Sequence, residues 1–593
     1  MVKKTKEGNK KAPAKKVKPI FWRNLFYQTV YWVADTPLPE IAILSSFILS
    51  RWWLNSDFSY PFEVWLPIIM FGIVATIAYY GFRAIFGKGS AAHLAAILVS
   101  YSFYGYSFLH DSKFGSTALK IIPHSFRTEL TESIFLGVLF IVLAGIIAWL
   151  IRWLLHHYPN MQRLQPYKVL LFAVVFIFGI QAVRGIERYS QMRKELSFHY
   201  PAPNTAKTAA ATSKPDVYYL LFDRYGNEDQ LKKNFNFDNS DIYKFLGSKG
   251  FTNREAAYAN YPFTMSSVPS TMAMNYFPQF EQMFSKDGDW ESAFPYRSVL
   301  NNPPIAQYFK ANGYQYNQLS SWWDFTRVGI KADSNPTESF RLSVFGKNFY
   351  LTDLQRDIVH KSILSPWLKK GISIGKHPVL KYDLDRNPRE NFEAQMSSLR
   401  TIAGRADKST PQYSFAHILA PHPPYLFNKD GSWPSYDGEA NDNGVDETVK
   451  YTNEAAYVNN QMKSIVSYIQ LHDPKAAIVI QADEGPYPKQ FRGDITAQNF
   501  YDPLKLPLDK MQQKFGVFAS YYLPGGASTD AAKQINASVD TFRVVLNNYL
   551  GYDLPLLPDC HFATGDKFQI YNYTLVNDKL PDQKDPAQCS QYK

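Results

Sequence analysis

The sequence predicts two unlike parts: an α-helical membrane domain of about five spans, followed by an α/β domain with a mostly parallel central sheet. Three observations predict this. Apolar residues crowd into the first third of a 593-residue chain whose mean hydropathy is mildly negative. Beyond about residue 215, near-continuous apolar runs alternate with amphipathic stretches, as strands buried on both faces alternate with the helices that cover them. Three of those runs end in ionisable residues, and open α/β sheets bind their ligands at the C-terminal ends of their strands. The chain is too long for one domain.

Five spans are expected at Pro39–Leu54, Phe62–Phe82, Ala91–Leu109, Glu132–Leu155 and Tyr167–Val183. A membrane helix needs roughly 20 mostly apolar residues, and the second and fourth meet this readily. Arg51 lies near one end of the first, where it can snorkel to the interface. Five such segments so close together, with no amphipathic partners between them, exclude a set of buried core helices. Met1–Lys18 holds eight lysines against one glutamate, while Asn55–Pro61 has no Lys or Arg. The positive-inside rule therefore puts the N-terminus in the cytoplasm and, after an odd number of spans, the rest of the chain outside it. Lys113, Lys120 and Arg127 oppose this rule but are diluted by Asp111 and Glu129. The lysine-rich tail has no apolar run of its own, so it does not open a cleaved signal peptide. It also supplies much of the net +11, which speaks for anionic lipid heads and against nucleic acid as partner. The expected organisation is a basic tail and entry segment over residues 1–38, a membrane domain over 39–184, a linker over 185–214 and an outer domain over 215–593. Two cysteines, Cys560 and Cys589, both fall in the outer domain, where a disulfide or two free thiols are open alternatives.

In the outer domain Asp216–Asp223 reads as a buried strand, and Ser240–Lys249 and Pro304–Asn312 as helices, the latter closed by Gly313. Tyr314–Leu319 reads as a strand, Asn391–Ala403 and Asp446–Leu471 as helices, and Gln412–Leu419 and Ala476–Ala482 as buried strands. Gly516–Leu523 reads as a further strand and Thr541–Leu550 as a helix. Between a strand-like run at Phe251–Ala259 and a helical one lies Asn260-Tyr-Pro-Phe-Thr-Met-Ser-Ser-Val-Pro-Ser-Thr-Met272, rich in hydroxyls and free of charge. Pro262 disfavours helix before it, and Ser266 or Ser267 can cap a helix after it. A hydroxyl at that turn faces the positive end of a helix, a setting for an anion beside a nucleophile.

The strand ends supply the partners. The first ends in Asp223, the second runs into His417-Ile-Leu-Ala-Pro-His422-Pro-Pro-Tyr425, and the third ends in Asp483-Glu484-Gly-Pro486. Adjacent carboxylates repel unless a cation lies between them. The oxygen set Asp223, Asp483, Glu484 and a hydroxyl favours a hard divalent cation, Mn²⁺ or Mg²⁺ before Ca²⁺ or Zn²⁺. His417, inside its strand, reads as a core residue. Arg224 reads either as a phosphate clamp or as the partner of an acid.

These segments resemble the alkaline phosphatase superfamily in its sulfatase-like branch, and most of all the membrane-anchored lipoteichoic acid synthase type. The carriers are Asp216–Asp223, Asn260–Ser267, Ala416–Tyr425, Ile480–Pro486 and Thr541-Phe-Arg543, in family order. The resemblance implies an alkaline phosphatase/sulfatase-like fold for the outer domain, with Asp223, Thr264, Asp483 and Glu484 at one divalent cation. It implies Thr264 as the nucleophile, ranked above Ser266, and His422 as a contact to the substrate's anionic group or the acid that protonates the leaving oxygen; Arg224, where many relatives carry a small residue, is expected to bind the substrate as a phosphate clamp. Glu484 departs from the His or Asn more usual there. Thr264-Met-Ser-Ser-Val lacks the Cys/Ser-x-Pro-x-Arg context of formylglycine sulfatases, so phosphate esters are expected rather than sulfate esters. The expected function is a phosphotransferase of the bacterial cytoplasmic membrane with its catalytic domain outside. It would move a glycerol phosphate or phosphoethanolamine group from a lipid donor to an envelope glycan or lipid through phospho-threonine. The alternatives are hydrolysis, with water as acceptor, and a decayed site serving as an envelope scaffold.

Overall fold

The structure is a computed structural model that describes residues 18–592 except 57, 88, 159–165, 286–290, 338–340, 345–346, 375–376, 384–386, 435–445, 487–502, 566–568 and 582–585. It opens with six long helices: α1 (Lys18–Ala34), α2 (Leu38–Leu54), α3 (Trp65–Phe86), α4 (Ser90–Tyr104), α5 (Glu129–His157) and α6 (Pro166–Gln191). The last five fall on the five expected spans. Helix α1 was not expected, because Arg23, Asn24 and Gln28 interrupt its hydropathy. It packs on α2 and α6 and exposes Tyr27 and Trp32.

By length and composition, three helices can cross a membrane: Pro61–Phe86, Glu129–His157 and Tyr167–Gln191. A fourth is obtained if Asn24–Ala34 and Leu38–Leu54, bent by 78° at a proline-bounded break, form one span. At 15 residues α4 falls short, because Gly105 breaks it from the helix Tyr106–His110. Among the described residues this measure gives three spans, or up to four, beside the about five expected from the sequence. Helix α4 nonetheless lies between α3 and α5, where Ala91, Ala92, Ala95 and Ala96 share a core with Ala144, Ala148 and Tyr79. Small residues let helix backbones approach where no hydrophobic force drives them together.

Helix α6 continues past the expected boundary at residue 184. The segment after it is bound to the outer domain: Thr208 and Ala209 donate N–H bonds to the Gly551 carbonyl, and Thr212 to that of Tyr549.

The outer domain begins with β1 (Val217–Phe222) and β2 (Thr252–Asn253). Helix α7 (Thr264–Ala273) and β3 (Gln315–Leu319) follow, then the short α8 (Asp324–Arg327). An inserted unit comes next: β4 (Arg341–Val344), β5 (Lys347–Tyr350), α9 (Asp353–Lys361), α10 (Leu364–Lys370), β6 (Ile372–Ile374) and β7 (His377–Asp383). The chain closes with α11 (Pro388–Ala403), β8 (Gln412–Ile418), α12 (Glu447–His472) and β9 (Ala477–Gln481), then α13 (Leu508–Phe515), β10 (Ala519–Tyr522) and α14 (Thr541–Leu550).

The main sheet has the order β2-β10-β9-β1-β8-β3. Strands β9, β1, β8 and β3 pair in parallel, and β10 runs against β9, so the sheet is mixed and mostly parallel. The expected strand Gly516–Leu523 is split into Gly516–Val517 and β10. Every residue of β1, β8 and β9 is buried. Tyr219, Leu221, Phe415 and Val479 face a core with α7 and α14, while Leu220, Phe222, Ile418 and Ile480 face one with α11 and α12. Leu221 is in register with both His417 and Gln481, which brings the ends of the three strands level.

The inserted unit is a four-stranded antiparallel sheet, in the order β5-β4-β7-β6, whose helices meet the membrane bundle. Leu354 and Ile358 of α9 pack with Ile48, Trp52 and Phe71, and the Ile363 N–H donates to the Phe103 carbonyl at 2.9 Å. Cys560 and Cys589 form a disulfide.

Candidate active site

β1 ends at Asp223, and the next residue, Arg224, takes a left-handed φ of 59°. Such a conformation is costly for a side chain with a Cβ and persists only where its surroundings impose it. Here the Arg224 N–H points to Asp483 Oδ1 at 3.4 Å and its carbonyl accepts the Tyr451 hydroxyl at 2.9 Å. Gly226 completes the turn where an added Cβ would press on Leu231 and Pro486.

One ligand atom each from Asp223, His417 and Asp483 lie within 4.8 Å of one another, all three residues buried. His417 Nε2 is 3.3 Å from Asp223 Oδ2. His417 Nε2, Asp223 Oδ1 and Asp483 Oδ2 are buried and make no hydrogen bond. Three convergent buried polar atoms without partners are costly unless a cation satisfies them, so this donor set fits a divalent metal ion. Burial pushes the Asp483 carboxyl well above the ordinary range, and the Asp223 and Glu484 charges push it further. Burial acts in the same direction on Asp223, but His422, His417 and Arg224 outweigh it and hold that carboxyl below the ordinary range. Two carboxylates driven apart in this way share a site built for a positive charge.

Two expectations change here. His417 is not an inert core residue: its position one residue before the end of β8 carries the ring to the end of the sheet. Its Nδ1 is 2.8 Å from Thr326 Oγ1, itself 2.7 Å from Ser321 Oγ, which leaves Nε2 to the carboxylates. Outer partners of this kind set the tautomer and orientation of ligating histidines. Glu484, expected as a ligand, lies outside the cluster. Its Oε1 accepts Arg224 Nε at 2.8 Å and its Oε2 is 2.6 Å from Nζ of the fully buried Lys514. Two cations hold the Glu484 carboxylate away from the ligand position, and Arg224 takes the acid-pairing alternative. Lys514 could not be placed from sequence, because its helix α13 is remote in the chain. The imidazole in an otherwise apolar strand end was the available signal for His417.

Helix α7 begins at Thr264, with Phe263 at its cap. Neither Ser266 nor Ser267 caps it: the Ser266 hydroxyl donates to the Phe263 carbonyl at 3.1 Å, and that of Ser267 to the Asp483 carbonyl at 2.7 Å. Both serines are buried, whereas Thr264 is only partly so. The Thr264 hydroxyl lies beside the Asp483 carboxyl and offsets part of the rise in its pKa. As the first helical residue it sits among N–H groups without intrahelical partners, at the positive end of the dipole.

His422 stands beside this group with its ring 5.8 Å from that of Trp322. Its Nδ1 meets the Pro423 carbonyl, which can only accept, so the proton is on Nδ1 and Nε2 is a free base. Burial first, then the Arg224 charge, push its pKa down to about 3, so the ring is neutral at physiological pH.

A mostly parallel sheet that presents carboxylates and an imidazole at its strand ends, with a hydroxyl at a helix N-terminus, defines an esterase-type centre for anionic esters. The family model described as Sulfatase matches residues 228–544, more than half of the chain. The chain belongs to the sulfatase family. No curated protein sequence matches it. Among solved structures, the C-terminal periplasmic domain of EcEptC from Escherichia coli is 11% identical, with 65% of this chain and 98% of that one covered and a TM-score of 0.39. The integral membrane lipooligosaccharide phosphoethanolamine transferase A from Neisseria meningitidis is also 11% identical, with 88% and 96% covered and a TM-score of 0.38.

Proposed function

We propose that this protein is a metal-dependent phosphotransferase anchored by its apolar helices, N-terminus inside, with the sulfatase-like domain outside the cytoplasm. In this reading it moves a phospho-alcohol group from a lipid donor to an envelope acceptor. The observation that carries it is the convergence of Asp223, His417 and Asp483 beside the hydroxyl of Thr264. Those three residues, with Thr264, would hold the ion. Because an imidazole replaces the expected Glu484 oxygen, Zn²⁺ and Mn²⁺ suit the set better than Mg²⁺ or Ca²⁺. When bound, the ion lowers the pKa of a neighbouring hydroxyl and offsets charge on the phosphoryl group.

The side chains account for the rest. Thr264 Oγ1 attacks phosphorus, the bond to the donor oxygen breaks, and the threonine proton leaves with that oxygen as the free alcohol. The helix N–H groups face the charge that builds on the phosphoryl oxygens. His422 Nε2, unprotonated at neutral pH, takes the proton of the acceptor hydroxyl as that oxygen displaces Thr264 from phosphorus, and passes it to the departing Thr264 Oγ1, which restores both groups. Arg224, held by Glu484, lies beside the group as a fixed cation. Phosphate is favoured over sulfate because the chain around Thr264 cannot yield formylglycine. A decayed site is disfavoured by the three convergent ligand atoms.

The test is incubation of the purified full-length protein, loaded with Zn²⁺ or Mn²⁺, with a phosphatidyl donor labelled in its head group. Label trapped on the Thr264 peptide and released to an added acceptor is expected. Release to water alone, with no gain by acceptor, would assign hydrolysis instead.

A further inference from the structure

Between the end of α2 and the outer domain lies a cleft of about 460 Å³, a size typical of small-molecule sites. One wall is Arg51 and Asn55 at the end of α2, and a second is Asp353, Arg356 and Asp357 of α9. The third is aromatic: Trp323 stacks on Phe325 with centroids 4.8 Å apart, and Phe58 meets Phe325 edge-on.

The charges on the two polar walls are paired but exposed. Arg51 Nη2 is 3.0 Å from Asp357 Oδ2, and Arg356 Nη2 is 2.9 Å from Asp353 Oδ1. Asp353 is also held by the buried Arg327 and Asp357 by Lys361, but side-chain exposures of 41% and 39% leave the Arg51–Asp357 contact open to exchange, as solvent-screened pairs are. Three aspartates line the cleft with the two arginines, but Asp324 is taken up by Arg297 and Arg327, and Asp353 is shared with Arg327. Arg51, Arg356 and Asp357 beside a ring wall match a ligand that carries both an anion and a cation: the arginines suit a phosphodiester, and Asp357 with the ring faces suits an ammonium. The mouth is level with the ends of α2 and α3, where Trp53, Leu54, Phe62 and Trp65 are exposed, an aromatic belt of the kind found at a bilayer surface.

We infer that this cleft binds a zwitterionic phospholipid of the outer leaflet by its head group, at a site separate from the metal cluster. Trp323 is the partition: its ring lines the cleft on one side and stands edge-on to His417, 5.9 Å away, on the other. The same short helix α8 carries Thr326, which orients His417. The inference rests on the proposed membrane placement and not on the proposed reaction.

The test uses the full-length protein in detergent, stripped of lipid and titrated with dioleoyl phosphatidylethanolamine or dioleoyl phosphatidylglycerol, with retained lipid counted by native mass spectrometry. One phosphatidylethanolamine should be held in preference to phosphatidylglycerol. Arg356→Glu and the charge-neutral filling variant Asn55→Trp should each lower its retention by about fivefold or more. Melting temperatures show which variants are folded, so loss of lipid by a folded Asn55→Trp supports the site even if Arg356→Glu misfolds. Equal or better retention of phosphatidylglycerol, or variants that hold lipid as well as the parent, would overturn the inference. Displacement by an equal concentration of soluble glycerophosphoethanolamine would also overturn it, by assigning the cleft to a free diester. Thr264→Ala should hold the lipid normally, which separates this outcome from the fate of the proposed reaction.

Discussion

The imidazole of His417 and the carboxylate of Asp223 face each other from two neighbouring parallel strands, Nε2 to Oδ2 at 3.3 Å. The contact follows from register: Phe222 pairs with Ile418, so the residue just beyond β1 meets the side chain one step inside the end of β8.

If that contact is half of a metal site, His417→Ala should abolish tight metal binding. Thr326→Val, which removes only the partner of Nδ1, should weaken it by roughly 10–100-fold, as outer partners do. Competition with a chromogenic chelator measures both. Binding unchanged in His417→Ala would remove the residue from the site.

Thr264→Ala should cut turnover of a soluble phosphodiester by at least about 1,000-fold, as loss of a nucleophile does. Ser266→Ala, which removes a hydroxyl already bonded to the Phe263 carbonyl, should stay near the parent rate. Steady-state rates on bis-p-nitrophenyl phosphate decide between the two.

The Glu484–Lys514 pair is fully buried, so breaking it from one side leaves a charge stranded. Glu484→Gln or Lys514→Met should each cost on the order of 3–5 kcal/mol, and the double variant less than their sum. Urea midpoints read by circular dichroism report the cycle. Additive losses would mean that the two groups do not interact.

Asp540 immediately precedes α14 and accepts the Leu557 N–H, and burial pushes its pKa from the ordinary 3.8 up to about 7. The folded state therefore holds a proton that the unfolded chain has lost. The stability this contributes is fully present below about pH 4 and disappears as pH rises through 7, on the order of 2–4 kcal/mol. Asp540→Asn should flatten the pH dependence of Tm across that window, and an unaltered slope would refute the assignment.

The Cys560–Cys589 bond closes a separation of 29 residues, which corresponds to about 3–4 kcal/mol in the chain-entropy model. Cys589→Ser should lower Tm under oxidising conditions and make it insensitive to dithiothreitol.

Much of this architecture is written in local pattern. The runs Asp216–Asp223, Gln412–Leu419 and Ala476–Ala482 are largely apolar and read as buried strands, and each holds a strand of the central sheet. Helix Thr541–Leu550 was legible to the residue, and Asp223 and Asp483 were legible as ionisable groups at strand ends. The inserted unit over 341–383 was not legible, because its strands are short and mixed in polarity and pair with one another, while its helices dock on the N-terminal helices. Helix α1 was missed because interrupting polar residues hide it until α2 and α6 cover one side.

The sequence by itself determined which elements exist and which of their ends carry charge, since burial on two faces and the strand period are properties of neighbouring residues. The tertiary structure alone decided how those charged groups pair. Asp483 and Glu484 are adjacent in the chain, yet they serve opposite ends: one turns to Asp223 and His417, the other to Arg224 and Lys514. Strand register set the first choice. A lysine brought from α13 into the interior set the second, because a buried ammonium must find a carboxylate wherever the fold places one.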